Sequence, residues 1–371
     1  MGVSILGLLS ESAKTCIMDE LNPPGSDSPL SRAAHISVAV ALGFILVLGI
    51  LGNFLLLLVF SRYPGLRTPA NLLLVNISVS DMLVCLFGTP LSFAASVRGR
   101  WLTGSYGCRW YGFSNALFGV VSLVSLSLLS FERYAMLLSG SQLNSSHYRR
   151  ARLSIAFSWL YSLAWTLPPL LGWSSYGPEG PGTICSVQWR RRSVTARSYI
   201  ICLFIFCLLL PLLLMFFCYG RILLAVRAGI NKSQAEGRIL LMVVAMVTAY
   251  LLCWIPYGVV AMVASFGWPG AVPPAAALIP ALLAKTSTVL NPVICVLLNN
   301  QVKERQRAVT FNWDQESLLP FSLSEGRTET FLTHLKRNLK NRRICSCQES
   351  RCFFNSRNLI YFRDDCPQSW F

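Results

Sequence analysis

The strongest constraint on the fold is a succession of long stretches that carry almost no charged side chains. Each of the first five is about as long as the roughly 20 residues that an α-helix needs to cross a bilayer, and the sixth is too long for one crossing. A dense turn signal at Gly267–Pro274 divides the sixth stretch in two. The sequence therefore predicts an all-α membrane protein, a seven-transmembrane helix bundle. The stretches are Ile36–Ser61, Asn71–Val97, Trp110–Phe131, Leu153–Pro178, Ser198–Gly220, and Ile239–Ala284 continuing past Lys285 to Gln301.

The basic residues indicate how such a bundle lies in the membrane. Only 13% of the residues are charged, against about 25% in an average soluble domain. Arg and Lys concentrate in the connections that are cytoplasmic when the N-terminus is outside, although the run Trp189–Ser193 in an outer loop is an exception. We expect a multi-pass protein of the cell membrane with an extracellular N-terminus. The net charge of +16 then faces anionic lipid of the bilayer, and no nucleic-acid module is predicted.

This topology divides the chain into four segments. An extracellular N-terminal arm at 1–35, polar and rich in Pro, Gly and Ser, precedes the seven-helix domain at 36–299. A short amphipathic eighth helix is predicted at 300–309 on the cytoplasmic side. The cytoplasmic tail at 310–371 is predicted to be disordered.

Three of the 13 cysteines, Cys16, Cys108 and Cys185, lie outside in this topology. Cys108 begins the third helix and Cys185 lies in the loop between the fourth and fifth helices. A disulfide between them would pin that loop over the bundle, and two free thiols are the alternative. The cysteines of the tail face a reducing compartment, and no metal site is predicted.

One lysine interrupts the last apolar stretch. Lys285 is the only charged residue between Arg238 and Lys303. An ammonium buried in a membrane costs several kcal/mol, so such a residue loses its proton, finds a partner or is consumed by chemistry. A neutral amine is a nucleophile for an aldehyde. The alternative is a structural lysine that extends its amine to the membrane interface.

Short motifs occur in a fixed order along the predicted helices. They are Gly52-Asn53, "NISVSD" ending at Asp81, "FERY" at 131–134, "LLCWIPY" at 251–257 and "NPVIC" at 291–295. Together they resemble the rhodopsin-like G-protein-coupled receptors across residues 36 to about 309.

Within that superfamily, Lys285 is similar to the lysine to which opsins attach retinal. It stands six residues before Asn291 and 31 after Trp254, and the segments 66–81, 112–122 and 159–173 resemble the encephalopsin and teleost multiple-tissue opsin group. The resemblance implies a non-visual light-sensing receptor, not an enzyme, that binds 11-cis-retinal as a Schiff base on Lys285. It also places Tyr111, Trp254 and Tyr257 in the retinal pocket.

A protonated Schiff base needs a nearby anion as counterion. Many visual pigments carry a glutamate three residues after the cysteine of the third helix, where this chain has Tyr111, and a phenol carries no charge at neutral pH. Glu179 stands six residues before Cys185 and resembles the loop counterion of many invertebrate and non-visual opsins. The alternative for Glu179 is an ordinary solvated loop carboxylate.

The resemblance also implies a switch that couples to a heterotrimeric G protein, of the Gi/Go type, with arrestin and a receptor kinase as further partners. Arg133 is expected to pair with Glu132 and, across the bundle, with Glu236. The coupling and switch residues are Glu132, Arg133, Tyr134, Tyr219, Glu236, Asn291 and Pro292, and the central polar network is Asn53, Asp81 and Asn291.

Two other functions stay open at this point. Cys295 replaces the tyrosine that closes the "NPxxY" motif, which leaves room for a retinal photoisomerase-type opsin that supplies chromophore instead of signalling. The second alternative is a receptor for a diffusible ligand, or a transporter, in which Lys285 binds an anion.

Overall fold

The protein is described by a computed structural model that covers residues 31–139, 145–227 and 234–317. The chain divides into two units, Met1–Ala308 and Val309–Phe371. The architecture below is that of the first unit, except that its last helix begins at Asn300 and continues beyond Ala308 into the second. Its helices are α1 (Arg32–Arg62), α2 (Pro69–Leu83, a π-helical turn at Val84–Gly88, then Thr89–Arg98), α3 (Gly104–Ser139), α4 (Ser145–Thr166), α5 (Val194–Phe204, a π-helical turn at Ile205–Leu209, then Leu210–Arg227), α6 (Gln234–Phe266), α7 (Leu278–Leu298) and α8 (Asn300–Ser317).

Local sequence signals account for several helix ends. The hydroxyl groups of Ser31, Thr68 and Ser193 accept hydrogen bonds from backbone N–H groups in the first turns of α1, α2 and α5. The predicted turn at Gly267–Pro274 separates α6 from α7, with a short 3-10 helix at Pro274–Ala277. The division of the last apolar stretch into two helices is confirmed.

The fourth apolar stretch differs from its prediction. It was expected to cross the membrane over Leu153–Pro178, but α4 ends at Thr166 and is followed by a 3-10 helix at Pro168–Leu170. Two consecutive prolines remove two N–H donors and clash with the preceding turn, so the α-helix cannot continue.

By length and composition alone, six helices of the described chain are long and apolar enough to span a membrane, and α4 is not among them. One face of α4 carries the buried hydroxyl groups of Ser158, Ser162 and Thr166, while Leu153 and Leu160 on the outside are more than 60% exposed. Arg149, Arg150 and Arg152 near the start of α4, together with this polar inner face, lower the mean hydropathy of a helix whose outer face is apolar.

Two boundaries also extend beyond the predicted ones. The first helix begins at Arg32 instead of 36, and the helix that begins at Asn300 continues to Ser317, past the predicted end at 309. Because it has this length, α8 covers the beginning of the segment that was predicted to be a disordered tail.

A β-hairpin in the outer loop between α4 and α5 was not predicted. Strand β1 (Tyr176–Glu179) pairs antiparallel with β2 (Ile184–Val187), with Pro178 opposite Cys185 and Glu179 opposite Ile184. Gly180 and Gly182 turn the chain with φ of 60° and 77°, which glycine adopts without strain.

The arginines of the outer loop fasten it to its neighbours. Arg190 donates to the carbonyl of Val272 at 2.9 Å, and Arg192 donates to the carbonyl of Gly267 at 2.7 Å, both in the α6–α7 connection. This run was the exception in the distribution of basic residues. Its contacts give this run a structural role, which is to attach the loop to the α6–α7 connection.

Candidate functional site

A cavity of about 210 Å³ lies inside the helix bundle beneath the hairpin. Its wall is formed by α2, α3, α5, α6, α7 and both strands, and most of the lining side chains are apolar or aromatic. The polar groups that reach it are few, and they include Lys285, Glu179, Asn115 and Tyr257. An apolar cavity with a few directed polar groups is the usual form of a small-molecule site.

The amine of Lys285 is held inside this cavity. Its Nζ donates a hydrogen bond to Asn115 Oδ1 at 2.9 Å and lies 5.2 Å from the centre of the Tyr111 ring. Within the described part of the chain, the ion pairs closer than 4.0 Å all involve Glu132, so Lys285 has no carboxylate in direct contact. The amine therefore points into the cavity. It does not extend to the membrane interface, which was the alternative.

Glu179 lies at the outer end of the same cavity. Its Oε2 accepts a hydrogen bond from the Tyr257 hydroxyl at 3.0 Å, and that hydroxyl accepts one from Trp189 Nε1 at 3.0 Å. Burial raises the pKa of the Glu179 carboxyl above its ordinary value, and the hydroxyl groups of Ser186 and Tyr257 and the charge of Arg190 offset this only in part. Glu179 is therefore not an ordinary solvated loop carboxylate.

The disulfide explains how a loop carboxylate reaches the cavity. Cys108 near the start of α3 is bonded to Cys185 on β2, with their Cα atoms 5.5 Å apart, which confirms the predicted bridge. Both sulfurs are buried, and β2 holds β1 through the ladder that places Pro178 opposite Cys185. The residue after Pro178 is Glu179, so the bridge fixes its carboxyl over the bundle.

Aromatic side chains of α6 form the inner end of the cavity. Trp254 stacks on Tyr250 at 5.5 Å between ring centres, meets Tyr257 edge to face at 6.1 Å, and donates from Nε1 to Ser287 on α7 at 3.2 Å. A Cβ added at Gly119 on α3 would lie 3.1 Å from the Trp254 ring. Glycine at this position therefore lets the Trp254 ring pack directly against α3.

The predicted polar network lies at the centre of the bundle. Asn291 donates to Asp81 Oδ2 at 2.7 Å, and Asn53 donates to the carbonyl oxygens of Gly49 and Thr288 at 2.8 and 2.9 Å. All three side chains are at most 2% exposed. Asn53 thus joins α1 to α7 through the backbone, and Asn291 joins α7 to α2 directly.

At the end of α3 away from the disulfide, Glu132 has a different partner from the one predicted. Its carboxylate accepts two hydrogen bonds from Arg150 on α4, at 2.9 and 3.1 Å, and lies 3.7 Å from His147 Nδ1. The prediction paired Glu132 with Arg133, its neighbour on the same helix. The side chain of Glu236, the other predicted partner of Arg133, lies outside the described residues.

The remaining predicted switch residues lie near the same end. Tyr219 on α5 and Ser130 on α3 share a hydrogen bond of 2.9 Å, and Tyr134 meets Phe217 edge to face at 5.7 Å. Pro292 lies inside α7, and Cys295, in place of a tyrosine, is fully buried.

The sequence interpretation missed three residues that contact the predicted site. Asn115 binds the Lys285 amine, Trp189 binds Tyr257, and Arg150 binds Glu132. For Asn115 a signal existed, since an amide one helical turn after Tyr111 in an otherwise apolar helix calls for a partner. The other two depend on which elements meet in space, so the sequence carries no comparable signal.

Comparisons with known proteins agree with this arrangement. The profile of the family "7 transmembrane receptor (rhodopsin family)" matches residues 52–294. Opsin-3 of Mus musculus is 38% identical over 295 residues, which cover 76% of this chain and 73% of that protein. Pinopsin of Columba livia is 40% identical over 277 residues, covering 73% and 79%. The crystal structure of squid rhodopsin matches with a TM-score of 0.73 and 30% identity, covering 81% of this chain and 92% of that chain.

The fold and the cavity define a seven-transmembrane receptor, a multi-pass membrane protein. The chain belongs to the rhodopsin family of these receptors, and its relatives place it among the light-sensing opsins. The predicted resemblance to the opsins is confirmed. Membership makes the protein a G-protein-coupled receptor and not an enzyme, with a retinal chromophore.

The residues of the cavity fit this chromophore. Retinal is a long apolar polyene that ends in an aldehyde, and the cavity offers an apolar, aromatic wall with one primary amine. Among the described residues, this amine forms no ion pair. No ion pair therefore has to be broken before the amine reacts.

Proposed function

We propose that the protein is a non-visual light sensor that carries retinal as a Schiff base on Lys285. The observation that supports this most strongly is the position of Lys285 Nζ, which lies inside the apolar cavity with a neutral amide as its hydrogen-bond partner. The amine condenses with the aldehyde of retinal, forming a C=N bond and releasing one water. Retinal then supplies absorption of light and a change of shape, and by resemblance to the opsins the bound isomer is 11-cis.

Glu179 is proposed as the counterion. It lines the same cavity as Lys285, and the only other carboxylate of the described residues that does so, Asp81, is engaged with Asn291 in the polar network at the centre of the bundle. The described contacts put it beyond 4.0 Å from the amine, so its charge acts across the cavity and not through a contact ion pair. In the low dielectric of the cavity a charge interaction is effective over such distances. A counterion held by a loop need not lose its charge when the chromophore changes shape, so we expect a bistable pigment.

Trp254 is positioned to pass a change in the cavity to α6. Its ring packs against α3 at Gly119, and its Nε1 binds Ser287, two residues after Lys285 on α7. Trp254 would lie beside a retinal held on Lys285, and its ring would move when the shape of that retinal changed. Since Pro256 interrupts the hydrogen bonds of α6 nearby, the helix is able to bend at this level.

The cytoplasmic contacts would keep the resting state closed. Glu132 is held by Arg150, and Tyr219 is held by Ser130, so both tether α3 to neighbouring helices. A movement of α6 would expose the cytoplasmic ends of α3 and α5 to a G protein, which we propose to be of the Gi/Go type. Arrestin and a receptor kinase are proposed as further partners. The serines and threonines of the segment Ser322–Thr333 are proposed as their sites, and this segment lies outside the described residues.

We also propose that the protein lies in the cell membrane with its N-terminus outside. The disulfide and the hairpin then face an oxidising compartment, where disulfides persist. The ion pair of Glu132 and Arg150 lies at the opposite end of α3, on the side where the G protein is found.

The test is nucleotide exchange on purified G proteins by membranes that contain the protein and 11-cis-retinal. We expect light to accelerate exchange on a Gi or Go protein, and Lys285→Ala to abolish the effect. Light-independent exchange, or equal light responses in wild type and Lys285→Ala, would contradict the proposed function. A light response confined to another G-protein class would contradict only the assignment to Gi/Go.

A further inference from the structure

We infer that Asn115 is the positioning residue for the Lys285 nitrogen and that it sets how strongly this nitrogen holds a proton. The hydrogen bond between Asn115 and Lys285 is present in the protein without chromophore. Its effect on the Schiff base of the pigment rests on the proposed function. No sequence motif assigned a role to Asn115.

The geometry of Asn115 is that of a fixed acceptor. Its Nδ2 donates to the carbonyl of Tyr111 at 2.8 Å, which orients the amide so that Oδ1 faces the cavity and accepts from Lys285 Nζ at 2.9 Å. The two hydrogen bonds use opposite ends of the same carboxamide. The orientation of the acceptor is therefore fixed by the backbone of α3.

A second feature shows that the fold makes room for this amide. Gly88 closes the π-helical turn of α2, and a Cβ added there would collide with Oδ1, Cγ and Nδ2 of Asn115. Its φ of −101° is open to any residue, so glycine is required at this position for space and not for backbone conformation. The π-helical turn and Gly88 together create the space in which Asn115 meets Lys285.

The other groups near the nitrogen cannot replace this contact. Tyr111 offers only the face of its ring, 5.2 Å from Nζ, and the Glu179 carboxylate is engaged with Tyr257. On α2, the Cys85 thiol is engaged with Thr288 at 3.6 Å, and the Asp81 carboxylate accepts from Asn291 at 2.7 Å. An amide oxygen binds a charged donor more strongly than a neutral one. Asn115 therefore favours the protonated nitrogen, both in the free amine and in the Schiff base formed from it.

The test follows the reaction of Lys285 with formaldehyde and cyanoborohydride in the protein without retinal, as a function of pH, with the modified peptide quantified by mass spectrometry. Removal of one charge-assisted hydrogen bond in Asn115→Ala should lower the pH midpoint by about one unit. Asn115→Asp has the same shape and adds a carboxylate, so it should raise the midpoint by about one to three units. Gly88→Ala, which displaces the amide, should shift it in the same direction as Asn115→Ala.

Ser114→Ala is the matched control. Ser114 donates to the same Tyr111 carbonyl at 3.1 Å from the same helix, and its hydrogen bonds do not include Lys285. Its midpoint should equal that of wild type. If Asn115→Ala does not fold, Asn115→Asp decides. Midpoints of Asn115→Ala and Asn115→Asp that coincide with wild type would overturn the inference.

The same variants, reconstituted with 11-cis-retinal, should shift the pH midpoint of the visible band in the same directions. Asn115→Asp should also restore a visible band to Glu179→Gln at neutral pH. If wild type formed no visible band, the proposed function would fail, while the formaldehyde experiment would still decide the role of Asn115.

Discussion

The substitution Glu179→Gln should improve the stability of the protein without retinal and impair the pigment. The carboxyl is retained at a position where burial raises its pKa above the ordinary value of 4.5. A raised pKa means that the folded state binds protons more strongly than the unfolded state. The contribution of this carboxyl to stability is therefore greatest at a pH below its ordinary pKa. That contribution is lost as the pH rises from there through the raised pKa.

The magnitude follows from this difference. Each unit by which folding raises the pKa costs about 1.4 kcal/mol of stability once the carboxyl is ionised. Glutamine keeps an oxygen that accepts from Tyr257 and has no charge to bury. A gain of 1 kcal/mol corresponds to roughly 2–4 °C in Tm for a domain of 150–250 residues.

The assay is thermal denaturation of the purified protein without retinal, at neutral pH and at a pH below 4.5, the ordinary value for glutamate. Glu179→Gln should melt at a higher temperature than wild type at neutral pH, and the two should converge at the lower pH. Glu304→Gln, which changes an exposed glutamate on α8, is the control and should match wild type at both. A Glu179→Gln protein that is less stable at neutral pH, or whose gain is the same at both, would refute the argument from burial.

The pigment tests the other half of the same prediction. Without the carboxylate, the protonated Schiff base loses its balancing charge, so absorption of Glu179→Gln in the dark should shift toward the ultraviolet at neutral pH. The spectrum is recorded in chloride-free buffer, where no added anion can substitute. A visible band equal to that of wild type would remove both the counterion assignment and the bistability that depends on it.

Two further perturbations test the frame of the site. Cys185→Ser should lower the free energy of unfolding by up to about 4 kcal/mol, because the bridge to Cys108 closes a loop of 77 residues. Cys202 is a free cysteine, so Cys202→Ser should leave the free energy of unfolding nearly unchanged in the same denaturation experiment. Arg150→Gln should leave the buried Glu132 carboxylate without its two hydrogen bonds, at a cost of about 1–3 kcal/mol, and should raise nucleotide exchange in the dark. Dark exchange equal to wild type would show that this pair does not restrain the resting state.

The sequence was most informative where one residue type carries a strong constraint. The absence of charge over long stretches predicts the membrane helices, and the position of Lys285 in such a stretch predicts a reactive or paired amine. Cys108 and Cys185 were predictable because the topology leaves only Cys16 as another outer cysteine. For the membrane helices and for Lys285, the cost of placing a charge in the apolar interior is several kcal/mol.

What was not predictable depends on contacts between elements. The hairpin at 176–187 consists of two strands of four residues, too short for a periodic pattern, and the disulfide and the arginine contacts hold it in place. The partner of Glu132 comes from α4, and Asn115 reaches Lys285 only because Gly88 on a third helix leaves space. Such pairs are set by the packing of the bundle. Even where a polar residue in an apolar helix signals that it has a partner, as Asn115 does, the neighbouring sequence does not say which residue that partner is.

The central claim is that Lys285 is the attachment site of retinal, and borohydride reduction of the reconstituted pigment tests it most directly. Reduction converts the Schiff base into a stable secondary amine, which mass spectrometry locates on a peptide. We expect the retinyl mass on the peptide that contains Lys285, its loss together with the visible band in Lys285→Ala, and an unchanged result in Lys303→Gln, a lysine outside the cavity. A visible band that survives in Lys285→Ala, or a retinyl group found on another residue, would contradict the account.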